Sequence, residues 1–357
     1  MSISLTGRGS FLATTLITGS LVSLVAFAAA PKKAPEPPVP TATLWEQTTE
    51  ATAPYVSMRI IDTERMPLDP GRRAAQGWGN KTLFKDEAAK TGLKIMYVSP
   101  GTEGAYVHYH NFHEWAYNIA GDFTNNESTM PENVSGPLQR FREGNFLSRP
   151  PYSLHGGERG RFKHMMSQIG AQILIMEEGD VAAESFTVDP AVRNQPPQSS
   201  AGMKYNPNYK QITNWSTPRI IETIEKFPWQ PVEGSPGLNT KLLIDDPLHG
   251  FRATMYFLEA GAKTPAFLRP HYFKEANQFK YVINGRLNID TYASPTAKPV
   301  TTKLDTHYFF HKPPMAIQGV AADVASESGV VWLEVTYAKG TKWASTYSPI
   351  EDPTYLN

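Results

Sequence analysis

Short runs rich in apolar and aromatic residues at Lys94–Val98, Ala105–His110, Glu114–Ile119, Gln172–Glu177, Ala253–Leu258, Phe279–Ile283, Arg286–Asp290 and Val330–Thr336 read as strands. In a strand, successive side chains fall on opposite faces. Helical periodicity is sparse. Phe84–Lys90 and Thr217–Lys226 are the better helical candidates, with Ser216 or Thr217 available to cap the latter. With 30 prolines, 26 glycines, 17 phenylalanines and 16 tyrosines, short strands joined by turns are expected throughout. The fold class that follows is all-β, built as small barrels or jelly rolls.

The 357 residues suffice for two domains, and the second half repeats the first in outline. Met96-Tyr97 and Gly101 are echoed by Met255-Tyr256 and Gly261. Ala116-Tyr-Asn-Ile-Ala-Gly121 is echoed by Lys280-Tyr-Val-Ile-Asn-Gly285, and Arg149-Pro-Pro-Tyr-Ser-Leu-His-Gly156 by Lys312-Pro-Pro-Met-Ala-Ile-Gln-Gly319. The expected division is 1–28 signal peptide, 29–44 proline-rich spacer, 45–188 metal-binding domain, 189–208 linker and 209–357 degenerate domain. Arg8, the apolar run from Phe11 to Ala30 and Ala26-Phe27-Ala28 read as an export signal with its cleavage site. A signal anchor is the competing reading. The expected location is therefore periplasmic or secreted, with no stable membrane insertion after cleavage.

Charge narrows the partners further. Lysine plus arginine equals aspartate plus glutamate at 34 each, and no run of one sign favours nucleic acid. Cysteine is absent, which removes disulfides, thiolate metal sites and a cysteine nucleophile. A small-molecule substrate is the partner expected, and a homo-oligomer is left open.

The candidate chemistry lies in His108-Tyr-His110-Asn-Phe-His113-Glu114 and in Gly144-Asn-Phe-Leu-Ser-Arg-Pro-Pro-Tyr-Ser-Leu-His155. His108 and His110 share one face of a strand, and Glu114 follows after a turn-length gap. Three imidazoles and one carboxylate suit Fe, Mn, Cu or Ni, with Zn also admitted, and suit Ca or Mg poorly. The spacing resembles the two motifs of the cupin superfamily, G-x5-H-x-H-x3,4-E-x6-G and G-x5-P-x-G-x2-H. His108, His110, Glu114 and Gly121 fit the first, with its leading glycine displaced to Gly101 or Gly104. Gly144, Pro150 and His155 fit the second, with Tyr152 in place of the inner glycine.

This resemblance, to two-domain bicupins of the quercetin dioxygenase and oxalate decarboxylase layout, implies two tandem barrels and one transition-metal ion per chain on His108, His110, Glu114 and His155. In the second copy the corresponding positions are His271, Phe273, Gln278 and Gln318, which implies a supporting role there. Strand alternation turns Tyr106, Ala116 and Asn118 inward and Trp115 and Tyr117 outward. Glu114, Tyr106 as pocket wall and His113 as proton relay are the catalytic candidates. His113 is otherwise a solvated turn residue, and Arg149 is either a substrate clamp or one arm of a surface salt bridge. Tyr152 and His164 rank below these, and Asn126-Glu127-Ser128-Thr129 is given no role. A pocket with few charges is expected. The function expected is metal-dependent oxidation, as by a dioxygenase, of a small, perhaps aromatic compound. The alternatives are a decarboxylase-like carbon-carbon lyase and a binding protein without turnover.

Overall fold

The computed structural model describes residues 45–70, 74, 77–88, 91–128, 138–157, 165–178, 185–189, 203–224, 226–246, 250–338 and 340–350. The expected signal peptide and spacer, His164 and residues 190–202 of the expected linker lie outside them. No described helix is long and apolar enough to cross a membrane.

All eight expected strand segments contain extended backbone, although Ala105–His110 shortens to His108–His110. Neither expected helix forms among the described residues. Phe84 lies within the strand Trp78–Asp86, and Arg219–Glu222 is itself a strand. Tertiary partners override the local pattern here: Phe84 packs at 5.0 Å from the Phe279 ring, and Arg219–Glu222 pairs in register with Asn145–Arg149.

Two barrels result, as the cupin resemblance implies. In the first, the 15-residue strand Glu114–Ser128 crosses from one sheet to the other. Its first half pairs with Ala171–Glu178 and Asn145–Arg149, and its second half with Gln139–Arg142 and Leu154–Gly156. The bend falls at Gly121, where φ is +72° and a Cβ would lie 2.0 Å from the Gly170 carbonyl oxygen. Only glycine tolerates both conditions. Gly285 repeats the arrangement in the second barrel, with φ +88° and the Gly329 oxygen 2.2 Å from a Cβ position. There the crossing is split into Asn277–Gly285 and Leu287–Tyr292.

The duplication extends to pairing register. His108 lies opposite His155 as His271 lies opposite Gln318, and Glu114 lies opposite Arg149 as Gln278 lies opposite Lys312. Tyr152 and Met315, equivalent residues at the inner-glycine position of the second motif, both have φ of 66°. This chain thus adopts a left-handed backbone at that position with large side chains.

Each barrel also receives a strand from the sequence preceding its partner. Arg59-Ile-Ile-Asp62 pairs with Tyr308–Lys312 of the second barrel, and Arg219-Ile-Ile-Glu222 pairs with Asn145–Arg149 of the first. Between the barrels, the outward faces of both sheets form one apolar cluster that includes Trp115, Tyr117, Phe146, Phe251, Phe279 and Leu333. Trp115 and Tyr117 do face out of their barrel, but the second barrel covers them. Burial of such side chains contributes about 1.5–3 kcal/mol each, which ties the barrels together.

Candidate metal centre

The strand His108–His110 carries two imidazoles inward, and its neighbour Leu154–Gly156 brings His155 directly across. Gly156 makes this approach possible, since a Cβ there would lie 2.3 Å from the Tyr106 oxygen and 3.1 Å from the His108 ring. The three side chains are buried, and one ring nitrogen from each falls within 4.8 Å of the others. His108 Nδ1 donates to the Tyr106 carbonyl at 2.7 Å and His155 Nδ1 to the Ser153 carbonyl at 3.0 Å. A carbonyl can only accept, so both rings keep Nδ1–H and offer the Nε2 lone pair. His110 Nδ1 meets the Ser185 hydroxyl at 3.0 Å, and its Nε2 is buried without a hydrogen-bond partner.

Electrostatics favour neutral rings. Burial, followed by the charge of His110, lowers the His108 pKa to about 3, and burial with the charges of Arg149 and Lys94 lowers that of His110 to about 3. His155 is held well below its usual value by burial and then by Arg149. Glu114 Oε2 lies 3.6 Å from His110 Nε2, and Oε1 lies 4.0 Å from His155 Nε2. Three neutral, inward-aimed imidazoles, one of them orphaned, beside a carboxylate match the donor set of a divalent transition metal.

Other charged groups surround this cluster in a cavity of about 140 Å3. The expectation of few charges is therefore corrected. Arg149 is buried at 6% exposure rather than lying in a surface salt bridge. Its Nη1 pairs with Glu114 Oε1, while Nε and Nη2 donate to Glu127 at 3.0 and 2.5 Å. Lys94 donates to both oxygens of Glu177, at 3.0 and 2.9 Å, and both residues line the cavity. Burial pushes the Glu127 carboxyl up and Arg149 opposes that shift. Lys94 and Arg149 thus face Glu114 and Glu177 across the cavity, with Glu127 behind Arg149.

Glu127, Ser185, Lys94 and Glu177 carry no motif. The one signal for Glu177 was strand alternation, which places it on the same face as Ile173 and Ile175; Glu127, at an odd offset from Glu114 on the strand that bends at Gly121, had none. Tyr106 gives its carbonyl to His108, and the cavity wall at that place is Ala105. His113 turns to the opposite face from Glu114, meeting the Ser148 hydroxyl at 2.9 Å and the Phe251 ring at 5.4 Å, between the barrels. Ala116 lines the cavity, and Asn118 is buried with its amide donating to the Gly121 and Phe141 carbonyls.

In the second barrel the equivalent positions hold a different set. His271 Nδ1 meets the Arg269 carbonyl at 2.8 Å, as the first-barrel histidines meet theirs. Gln278 bonds Glu334 at 3.1 Å and accepts from Lys280 at 2.5 Å and from Gln318 at 3.3 Å. Lys280 and Glu334 form a buried ion pair at 3.2 Å. They lie opposite each other in register, as the apolar pair Ala116 and Ile175 do in the first barrel.

Fold and site together define an all-β protein of two tandem barrels with a three-histidine cluster in the first. Among solved structures, oxalate decarboxylase from Bacillus subtilis at pH 4.6 is similar to this chain at 14% identity and a TM-score of 0.45, over 84% of this chain and 78% of that one. A structure from work on the Mn(II) centres of the same enzyme gives the same values. Another, concerned with its substrate binding mode and reaction specificity, gives 15% identity and a TM-score of 0.43 over the same shares. No family model matches the sequence, and no curated protein does.

Proposed function

We propose that the first barrel is a metal-dependent enzyme site acting on a small organic acid outside the cytoplasm. The observation that carries this reading is the buried cluster of His108, His110 and His155 beside Glu114. These four residues would hold one transition-metal ion, which when bound supplies Lewis-acid or redox chemistry to a coordinated oxygen. The protein's own contribution is positional. The Tyr106 and Ser153 carbonyls fix two imidazole tautomers, and Arg149 holds Glu114 Oε1 so that Oε2 faces the histidines. Trp78, Phe123, Met166, Ile173 and Ile175 give the cavity apolar walls.

Cavity size and charge refine the substrate. About 140 Å3 admits a compound of a few heavy atoms, and a divalent ion would add positive charge to a lining in which Lys94 and Arg149 already balance Glu114 and Glu177, which then favours an anion. A small carboxylate fits this better than the neutral aromatic compound expected from the sequence. Dioxygenation and carbon-carbon cleavage both proceed at such sites, and the charged walls favour cleavage of a small dicarboxylate as the second reading.

The test is metal analysis followed by turnover. Purified protein is expected to hold close to one transition-metal ion per chain, lost in His108→Ala and His155→Ala, and to convert members of a panel of small carboxylates and phenolics. Dioxygen consumption with turnover supports the oxygenase, and anaerobic release of carbon dioxide the lyase. Full metal occupancy in His108→Ala, or no turnover with any of the metals, refutes the enzymatic reading.

A further inference from the structure

The second barrel keeps a cavity of about 130 Å3 at the place where the first holds its histidines, and pairing register shows how the two linings differ. Ala116, Ile175 and Lys94 lie side by side on three strands of the first barrel, as Lys280, Glu334 and Thr254 do in the second. Thr254 therefore stands for Lys94, and Thr336, opposite Gln278, stands for Glu177, opposite Glu114. Tyr256 likewise stands for Met96. The exchange removes an ion pair from the lining and leaves one cation, Arg252, with one carboxylate, Glu334.

Hydrogen bonds within the barrel already occupy Glu334 and Gln278. Glu334 Oε1 accepts from Gln278 at 3.1 Å, while Oε2 pairs with Lys280 at 3.2 Å and accepts from Trp332 Nε1 at 3.3 Å. Gln278 Oε1 accepts in turn from Lys280 and Gln318. His271 differs. Its Nδ1 donates to the Arg269 carbonyl at 2.8 Å, so the lone pair is on Nε2, which makes no hydrogen bond among the described residues. Burial, and then the charge of Lys312, hold this imidazole well below its usual pKa, so the ring is neutral at neutral pH.

Aromatic rings make up much of the remaining lining. Phe273 stands edge-on to the His271 ring at 5.5 Å, Tyr347 lies 5.0 Å from His271 and 5.6 Å from Phe273, and Trp343 lies 6.2 Å from Phe273. The volume is close to the ~150 Å3 of an apolar cavity that takes up benzene. One ring therefore fits. A carboxylate on that ring would share the volume with the imidazole lone pair and Glu334, whereas a hydroxyl meets the open acceptor.

We propose that the second barrel binds a neutral single-ring phenol, whose hydroxyl donates to His271 Nε2 and whose ring packs among Phe273, Trp343 and Tyr347. The site is separate from the metal centre and does not depend on the reading given to the first barrel.

Calorimetric titration of the full-chain protein at neutral pH, where a phenol keeps its proton, tests this. Toluene serves as the ring without a donor and benzoate as the ring with a charge. Phenol is expected to bind saturably, at least fivefold more tightly than toluene and at least tenfold more tightly than benzoate. His271→Leu should weaken phenol at least fivefold and leave toluene unchanged, while His155→Ala should leave phenol binding in place. Tyr347→Ala, at a position 37% exposed, removes part of the wall and should weaken phenol and toluene alike, which keeps the site testable if the histidine variant does not fold. No saturable binding of phenol, toluene or benzoate binding as tightly as phenol, unchanged phenol affinity in His271→Leu or Tyr347→Ala, or loss of phenol binding in His155→Ala would each overturn the proposal.

Discussion

Replacing Arg149 with methionine probes the ion network behind the candidate metal centre. Its guanidinium spans two carboxylates: Glu114, which faces the histidines, and Glu127, whose side chain is fully buried. Removing one partner of a buried pair costs about 3–5 kcal/mol, because the remaining charge is left without compensation. The lower end applies here. Asn125 also donates to Glu127 at 3.1 Å, and burial already pushes that carboxyl up, so proton uptake limits the penalty. A loss of about 3 kcal/mol is therefore expected in metal-free protein, with about 1–2 kcal/mol regained when Glu127→Gln removes the stranded charge as well. Urea unfolding at neutral pH, followed by tryptophan fluorescence, reads both values. Metal affinity in the same variant should fall roughly 10- to 100-fold, since Glu114 loses the group that orients it. A single variant within about 0.5 kcal/mol of the parent, or a double variant no more stable than the single one, would show that the network is not the source of stability argued here.

Two further outcomes follow from the site and its surroundings. Glu114→Gln preserves shape and volume but removes the anionic donor, so metal should bind at least tenfold more weakly and turnover should vanish with the fold intact by circular dichroism; wild-type rates in this variant would place the carboxylate outside the metal's coordination. His108, His110 and His311 have pKa values lowered to about 3 by burial, against 6.5 in the unfolded chain. The unfolded state binds more protons between these values, so stability of the metal-free protein is complete above about pH 6.5 and declines as pH falls towards 3. His311→Phe should reduce that slope between pH 6.5 and 5 by about 1 kcal/mol per pH unit, below the ~1.4 limit for one proton. A flat profile in unfolding midpoints across this range would contradict the assignment.

The candidate pair His108 and His110, with Glu114, was legible because its arrangement depends on local geometry. A spacing of two puts His108 and His110 on one strand face wherever that strand lies, and the turn before Glu114 keeps it close. The duplication was legible for the same reason: Gly121 and Gly285, and Arg149 and Lys312, keep matching offsets from the motifs around them. The two false helices show the limit of this reasoning, since Arg219–Glu222 is extended only because Asn145–Arg149 offers it an edge.

What the sequence by itself determined was therefore the all-β class, the repeated outline of the two halves, the shared face of His108 and His110 with Glu114 close by, and the change of three of the four candidate positions in the second half; His155 was joined to them only through the resemblance. Only the tertiary structure decided which strands lie opposite each other. That choice set Arg149 between Glu114 and Glu127, turned His113 away from the cavity, and left Lys312 buried without a partner. The physical reason is that side-chain alternation fixes a residue's face, whereas the charge it meets across a cavity depends on pairing register and barrel closure between segments far apart in the chain.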